Sequence, residues 1–315
     1  MRHSLVMIGI CLLCSRATFA PSARPAISNL LFVRFKVSDL DKGEQFYKDT
    51  LMLPRLNRPI PERPPTSVPR SRGCFVLEAE CFFINPFQRL EIIKTDDLRG
   101  GTMIDSIGLL TANAGALHKY LLARGLKPGK LISDSPTEQH FEVLDPEQHR
   151  LVFQSIGNFL GSVMGSSAQV SKQIIHAGFV VHDRDAEDLF YKDILGFHVY
   201  WHGGMKDDED NWVDMQVPDG TDWIEYMLNV PENASHKTLG VMNHIALGVP
   251  DIHAAQQQLI KNGWKPGEKP QMGRDGKWQL NLYDPDDTRI EFMEFKPVEK
   301  PCCSEFTGPH PGPHQ

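Results

Sequence analysis

The chain lacks several features that would settle its class at once. No apolar run is long enough to cross a bilayer as a helix; the longest opening stretch, Leu5 to Leu13, is far too short. Positive charge is not in excess: 33 basic against 40 acidic residues give a net charge of −7, which argues against nucleic acid as partner. Six cysteines in 315 residues are too few for a disulfide scaffold, and no low-complexity tract fills the middle. What remains is ordinary for a soluble globular protein: 41% hydrophobic, 23% charged, mean hydropathy −0.32, and enough chain for about two domains.

The first twenty residues, "MRHSLVMIGICLLCSRATFA", stand apart. A basic start, a short apolar run and small residues near Ala17 and Ala20 make residues 1–20 a signal peptide, with export to a periplasmic or extracellular space expected. Cleavage after Ala20 removes Arg2 and Arg16, and 31 − 40 leaves −9. Cys74, Cys81, Cys302 and Cys303 remain, and export permits disulfides. Cys74 and Cys81 flank "FVLEAE" and either pair across neighbouring strands or sit buried as small thiols.

The chain then repeats itself. "FKVSDLDKGEQFYKDTLML" aligns with "FVVHDRDAEDLFYKDILGF", "ALHKYLLARGLKPGK" with "AAQQQLIKNGWKPGE", and "LDPEQHRLVF" with "YDPDDTRIEF". Each copy opens on an alternating strand pattern, passes an Asp or Ser at a helix N-cap and continues into a one-faced helix. Four units result, each a strand, a helix and about three strands. The expected division is an N-terminal domain at 27–155, a Gly- and Ser-rich linker at 156–172, a C-terminal domain at 173–296 and a Pro-rich tail at 297–315.

The chemistry-bearing residues obey the same repeat. His176 and His244 lie in the first strands of units three and four, Glu225 and Glu291 in the last, at separations of 49 and 47 residues. Each histidine is followed seven positions later by an aspartate, Asp183 or Asp251. Charged groups amid apolar strand neighbours need partners. Two imidazoles and two carboxylates converging on one divalent cation would supply them and leave two octahedral positions for water or substrate.

With "D.D.A..FY.D.LGF" and "DP....R.E" in hand, the sequence resembles the vicinal oxygen chelate superfamily, over about Asn29 to Phe295. The superfamily includes glyoxalase I, bleomycin-resistance proteins, methylmalonyl-CoA epimerase and type I extradiol dioxygenases. The resemblance implies an α+β fold: four βαβββ modules paired into two open, cup-shaped mixed sheets with the helices outside. It implies metal ligands at His176, Glu225, His244 and Glu291, binding Ni²⁺, Zn²⁺, Mn²⁺, Co²⁺ or Fe²⁺. The matching N-terminal positions are Phe32, Glu91, Ser106 and Val152, so no metal is expected there.

The resemblance also frames the reaction. A metal-dependent enzyme of glyoxalase or isomerase type is expected, acting on a small oxygenated substrate, with Glu225 and Glu291 as candidate catalytic bases. An Fe(II) extradiol dioxygenase using His176, His244 and Glu291 is the alternative. It is disfavoured because Trp278 to Leu280 offer no acid–base histidine and Tyr283 abuts Asp284 directly. A non-catalytic binding protein of bleomycin-resistance type, its cavity lined by Trp201, Trp212, Trp223 and Trp278, is the third. A monomer or homodimer fits four modules in one chain. Of the remaining features, Arg274 is a candidate for an anionic substrate, "KDDED" reads as a solvated turn, and His118, His140 and His149 as solvated. "NAS" at Asn233 is a glycosylation sequon in a eukaryote. The tail reads as flexible or draped over the surface, with Cys302, Cys303, His310 and His314 as possible soft-metal donors.

Overall fold

In a computed structural model, residues 23–55, 79–96, 98, 103–133, 135–157 and 165–313 are described. The leader-like residues 1–20, Cys74 and His314 lie outside them. The first half runs β1 (Ile27–Val37), α1 (Leu40–Gln45) continuing as a π-helical turn (Phe46–Thr50), β2 (Glu80–Phe83) and β3 (Arg89–Lys94). It proceeds through β4 (Ile104–Thr111), α2 (Ala114–Ala123), β5 (Ile132–Ser133), β6 (Gln139–Leu144) and β7 (Arg150–Ser155). The second half runs β8 (Ile174–Val180), α3 (Arg184–Asp188) with its π-helical turn (Leu189–Ile194), β9 (His198–Gly203), β10 (Trp212–Gln216) and β11 (Trp223–Met227). Then come α4 (His236–Met242), β12 (His244–Val249), α5 (Ile252–Lys261), β13 (Gln271–Met272), β14 (Trp278–Tyr283) and β15 (Arg289–Glu294).

Two curled mixed sheets result, ordered β2-β3-β1-β4-β7-β6-β5 and β13-β14-β15-β12-β8-β11-β10-β9. This is the α+β cup architecture that the resemblance implied. In each, the opening strands of two units lie antiparallel at the centre, and each is paralleled by its own unit's last strand. The helices begin where the sequence placed caps. Asp39, Asn113, Asp183 and Asp251 each accept backbone N–H bonds of a first helical turn. Asp183 and Asp251, seven residues beyond the two histidines, are therefore caps rather than parts of a site.

The repeated motifs also bind the halves together. Tyr47 of the first "FYKD" donates to Asp284 of the last "DP" at 2.8 Å, and Tyr191 of the second "FYKD" donates to Asp145 of the first "DP" at 3.1 Å. Between these crossings, Gln88 accepts the Ile174 amide and Asp222 accepts the Leu30 amide, both at 2.9 Å. Gln88 also donates to Asp222 at 3.2 Å. Within the stretch read as a linker, 156–172, Gln169 and Ser171 are buried and bond to Ile84 and Gly248.

The tail is draped, as one of its two expected forms, and held in place. Trp201 donates to the Cys302 carbonyl, the His202 amide to Ser304, and the Thr307 amide to the Tyr200 carbonyl. Cys302 and Cys303 are joined as a disulfide, so they offer no thiolate to a soft metal; His310 instead hydrogen-bonds Tyr200. Cys81 is disulfide-bonded. Among the described residues no helix is long and apolar enough to cross a membrane.

Candidate metal centre

Side chains two apart on a strand share a face, and register carries that face across the sheet. In the second half His176 pairs with Trp223 and Ala246, Gly178 with Glu225 and His244, and Ala246 with Glu291. The four residues singled out in the sequence thus come from four neighbouring strands onto one face. His176 and His244 are wholly buried, Glu291 is 2% exposed and Glu225 9%.

They meet. His176 Nε2 and His244 Nε2 are 3.0 Å apart. Glu225 Oε2 lies 3.0 Å from His244 Nε2 and 3.7 Å from His176 Nε2; Glu291 Oε2 lies 3.5 and 3.7 Å from the same atoms. Donors bonded to one ion at about 2.0–2.2 Å stand about 3.0–3.5 Å apart when adjacent; His176, Glu225 and His244 form one group with donor atoms all within 4.8 Å of each other, and Glu291 joins it at 3.5 and 3.7 Å from the two imidazoles. His244 Nδ1 donates to the Met242 carbonyl at 3.1 Å, which turns Nε2 inward toward the carboxylates. Gly178 makes the space: a Cβ there would lie 2.1 Å from His244 Cε1.

The electrostatics suit a cation. Burial drives the His176 pKa down to about 3 against the pull of Glu225 and Glu291, so its imidazole is neutral. For His244, burial and Arg289 disfavour the charged form, but bonds to Glu225 and Glu291 outweigh them and raise its pKa. Burial also opposes ionisation of Glu225 and Glu291. His244 and His176 override it at Glu225, and Arg289 with His244 takes Glu291 down to about 2. Two ionised carboxylates and two imidazole nitrogens are an appropriate set for a divalent ion of the borderline class.

Three further residues shape the face, and the sequence reading passed over them. Arg289 stands two positions before Glu291 on β15. Its guanidinium is 2.7 Å from His244 Nε2 and 3.7 Å from Glu291, on an atom an arriving cation would also claim. A period-two reading of "TRIEF" would have found it. Lys277, wholly buried, sits 4.6–5.2 Å from the rings of Trp223, Phe306 and Tyr200, with Asp275 at 3.6 Å. Asp214, opposite Glu225 on β10, has its pKa pushed well above the usual carboxylate range by burial and by that neighbouring carboxylate. No strand pattern exposes Lys277, because its cage includes the tail's Phe306.

Other expectations need correction. Arg274 bonds to Gly204 and Asp207 beside the tail, not toward the histidines. His149 is not solvated; its Nδ1 lies 2.8 Å from Asp145. Trp223 and Trp201 are buried in packing, with Trp212 and Trp278 only partly buried. A cavity of about 720 Å³ is lined by the 266–271 loop with Asn281 and Tyr283; none of the four clustered residues lines it, but Asn281 and Tyr283 are the cross-strand partners of Glu291 and Arg289.

The first half offers the same four positions to different residues. Phe32 pairs with Arg89 and Gly108, Arg34 with Glu91 and Ser106, and Gly108 with Val152. Phe32, Glu91, Ser106 and Val152 thus stand where His176, Glu225, His244 and Glu291 stand. Glu91, wholly buried, is gripped by Arg34 and Arg89, both at 2.6 Å.

Residues 173–292 match the profile of the Glyoxalase/Bleomycin resistance protein/Dioxygenase superfamily, and the second half is a domain of that superfamily. The whole chain shares its fold with solved members. The Mn(II)-bound glyoxalase from Novosphingobium aromaticivorans is 16% identical with a TM-score of 0.62, over 90% of this chain and 86% of that one. The 2,3-dioxygenase LapB from Pseudomonas sp. KL28 is 17% identical with a TM-score of 0.60, over 92% and 96%. Homoprotocatechuate 2,3-dioxygenase from Arthrobacter globiformis is 14% identical with a TM-score of 0.63, over 87% and 82%. No curated protein sequence matches the chain.

Proposed function

We propose that the second cup is a divalent-metal site of glyoxalase or isomerase type, with His176, Glu225, His244 and Glu291 as ligands and a small oxygenated molecule as substrate. The observation that carries this reading is the second carboxylate: Glu225 lies as close to His244 as the two imidazoles lie to each other. A cation bound there polarises neighbouring substrate oxygens and acidifies the adjacent C–H.

The protein's own part is proton movement and positioning. Glu225 is the more accessible carboxylate, its side chain 11% exposed against 3% for Glu291. It takes the proton from the carbon beside the carbonyl and returns it to a neighbouring carbon. Glu291, held by Arg289, anchors. The substrate enters from the 720 Å³ cavity past Asn281 and Tyr283. On the leader-like residues 1–20 we place the protein outside the cytoplasm, where it would meet environmental oxygenated compounds.

The test is metal analysis of wild type and His244→Ala, followed by solvent-deuterium incorporation into candidate 2-hydroxy and 2-oxo compounds. Loss of one bound equivalent in the variant is expected; a variant retaining every equivalent sinks the reading. The dioxygenase reading is kept as second because two-sheet ring-cleaving enzymes match nearly the full chain. Oxygen uptake with catechols, in place of deuterium exchange, would establish it.

A further inference from the structure

The crossings that join the halves are images of each other, yet one is far richer in donors. At the plain node Tyr47 meets Asp284, whose Oδ1 takes the Asp286 and Thr288 amides. At the rich node Tyr191 meets Asp145, whose Oδ1 takes the His149 amide at 2.7 Å. In the repeat, His149 stands where Thr288 stands, and Glu187 where Gly43 stands. At the positions of Glu187 and His149 the plain node has only Gly43 and Thr288, and its neighbouring carboxylate, Asp286, takes the Ser38 amide and hydroxyl, so the interface closes without an ionisable group at either position.

Glu187 is wholly buried. Its Oε1 accepts the Glu147 amide at 2.9 Å, while its Oε2 has no hydrogen-bond partner. Asp145 is 2% exposed, with its Oδ2 2.8 Å from His149 Nδ1. One donor atom each from Asp145, His149 and Glu187 lies within 4.8 Å of the other two. Burial, then the facing Asp145, pushes the Glu187 carboxyl up to about 9, as befits two carboxylates without a cation between them. An unmet buried oxygen aimed at a carboxylate and an imidazole is a costly arrangement that an ion would relieve.

We propose that Asp145, His149 and Glu187 form a second divalent-cation site, at the seam between the halves and separate from the cup. Two carboxylates balance the double charge, and the mixed oxygen and nitrogen donors suit Zn²⁺ or Mn²⁺. Asp145 and His149 belong to the first half and Glu187 to the second, so the ion clamps one to the other. The His149 side chain, 13% exposed, marks the way in. This site goes beyond the reading of the cup and does not depend on it.

The experiment strips the full chain with chelator, reloads it with Zn²⁺ or Mn²⁺ alone, and counts bound ions by plasma emission and calorimetry. Wild type takes up two equivalents. His244→Ala keeps one, and its melting temperature still rises with added metal. Combining Glu187→Gly with His149→Thr, the residues of the plain node, also keeps one. All three changes together leave none. Should the paired replacement fail to fold, Glu187→Gln in the His244→Ala background decides by losing the remaining equivalent. The proposal is overturned if His244→Ala binds no metal, or if changing Glu187 and His149 leaves uptake unaltered. A wild type with one equivalent, kept in His244→Ala and lost with Glu187, would instead retain the seam site and remove the cup reading.

Discussion

Each cup buries a glutamate at the same register position and settles its charge differently. In the first half Glu91 is forked by Arg34 and Arg89, and Phe32 lies under both guanidinium groups at 5.3 and 4.5 Å. In the second, Glu225 faces two imidazoles and a second carboxylate. The decisive exchange is Arg34 for Gly178. An arginine brings a permanent cation into the cup, whereas a glycine clears the volume that His244 occupies. The first half meets its buried glutamate with two guanidinium groups; the second sets Glu225 against two imidazoles and keeps its nearest guanidinium, Arg289, beside His244 and Glu291.

That contrast is open to four breaks. The largest expected effect is on the cup chemistry: His244→Ala lowers kcat/KM by about a thousandfold or more, on the scale of losing an electrostatic stabiliser. Ser106→Ala, its counterpart, leaves kcat/KM unchanged; equal losses in the two variants would erase the distinction. Next is Arg34→Ala, which removes one of the two guanidinium groups on Glu91, leaves Arg89 in place, and costs about 1.5–3 kcal/mol in urea unfolding, with metal uptake unaltered. A loss below about 1 kcal/mol would mean the fork is incidental.

Gly178→Ala should shift His244 off its position, because the new Cβ would fall 2.1 Å from the ring. We expect metal affinity at the cup to drop about a hundredfold, read by calorimetry, with the fold kept. The smallest effect concerns Gln88 and Asp222, partners at equivalent positions of which one is neutral and one acidic. Burial raises the Asp222 pKa to about 7. The folded state therefore holds a proton that the unfolded state has released, and this contribution is full below about pH 4 and lost as pH rises toward 7. Asp222→Asn should remove a slope approaching 1.4 kcal/mol per pH unit over that window. Unfolding curves at several pH values that keep the wild-type slope would refute the assignment.

The sequence disclosed the fold and the four convergent residues because both are written in duplicate. Two copies of "FYKD" and "DP" fixed the module order, and equal spacing picked out His176, Glu225, His244 and Glu291 from thirteen histidines and many carboxylates. What escaped was whatever has no twin. Lys277 is buried only because Phe306, from the unrepeated tail, closes over it. Arg34 was legible as a strand residue but not as the partner of Glu91, since register alone pairs them. His149 was misread as solvated because its packing at the seam depends on a residue of the other half, Phe179, whose ring lies 4.1 Å from the imidazole.

The tail has a consequence for the second cup. The rings around Lys277 include Phe306, and the Cys302 carbonyl and Ser304 hydroxyl lace down β9. One wall of the ammonium's cage is thus lent by a segment that follows the last strand, and trimming the chain after Glu294 would uncover Lys277 while leaving β8, β11, β12 and β15 in place.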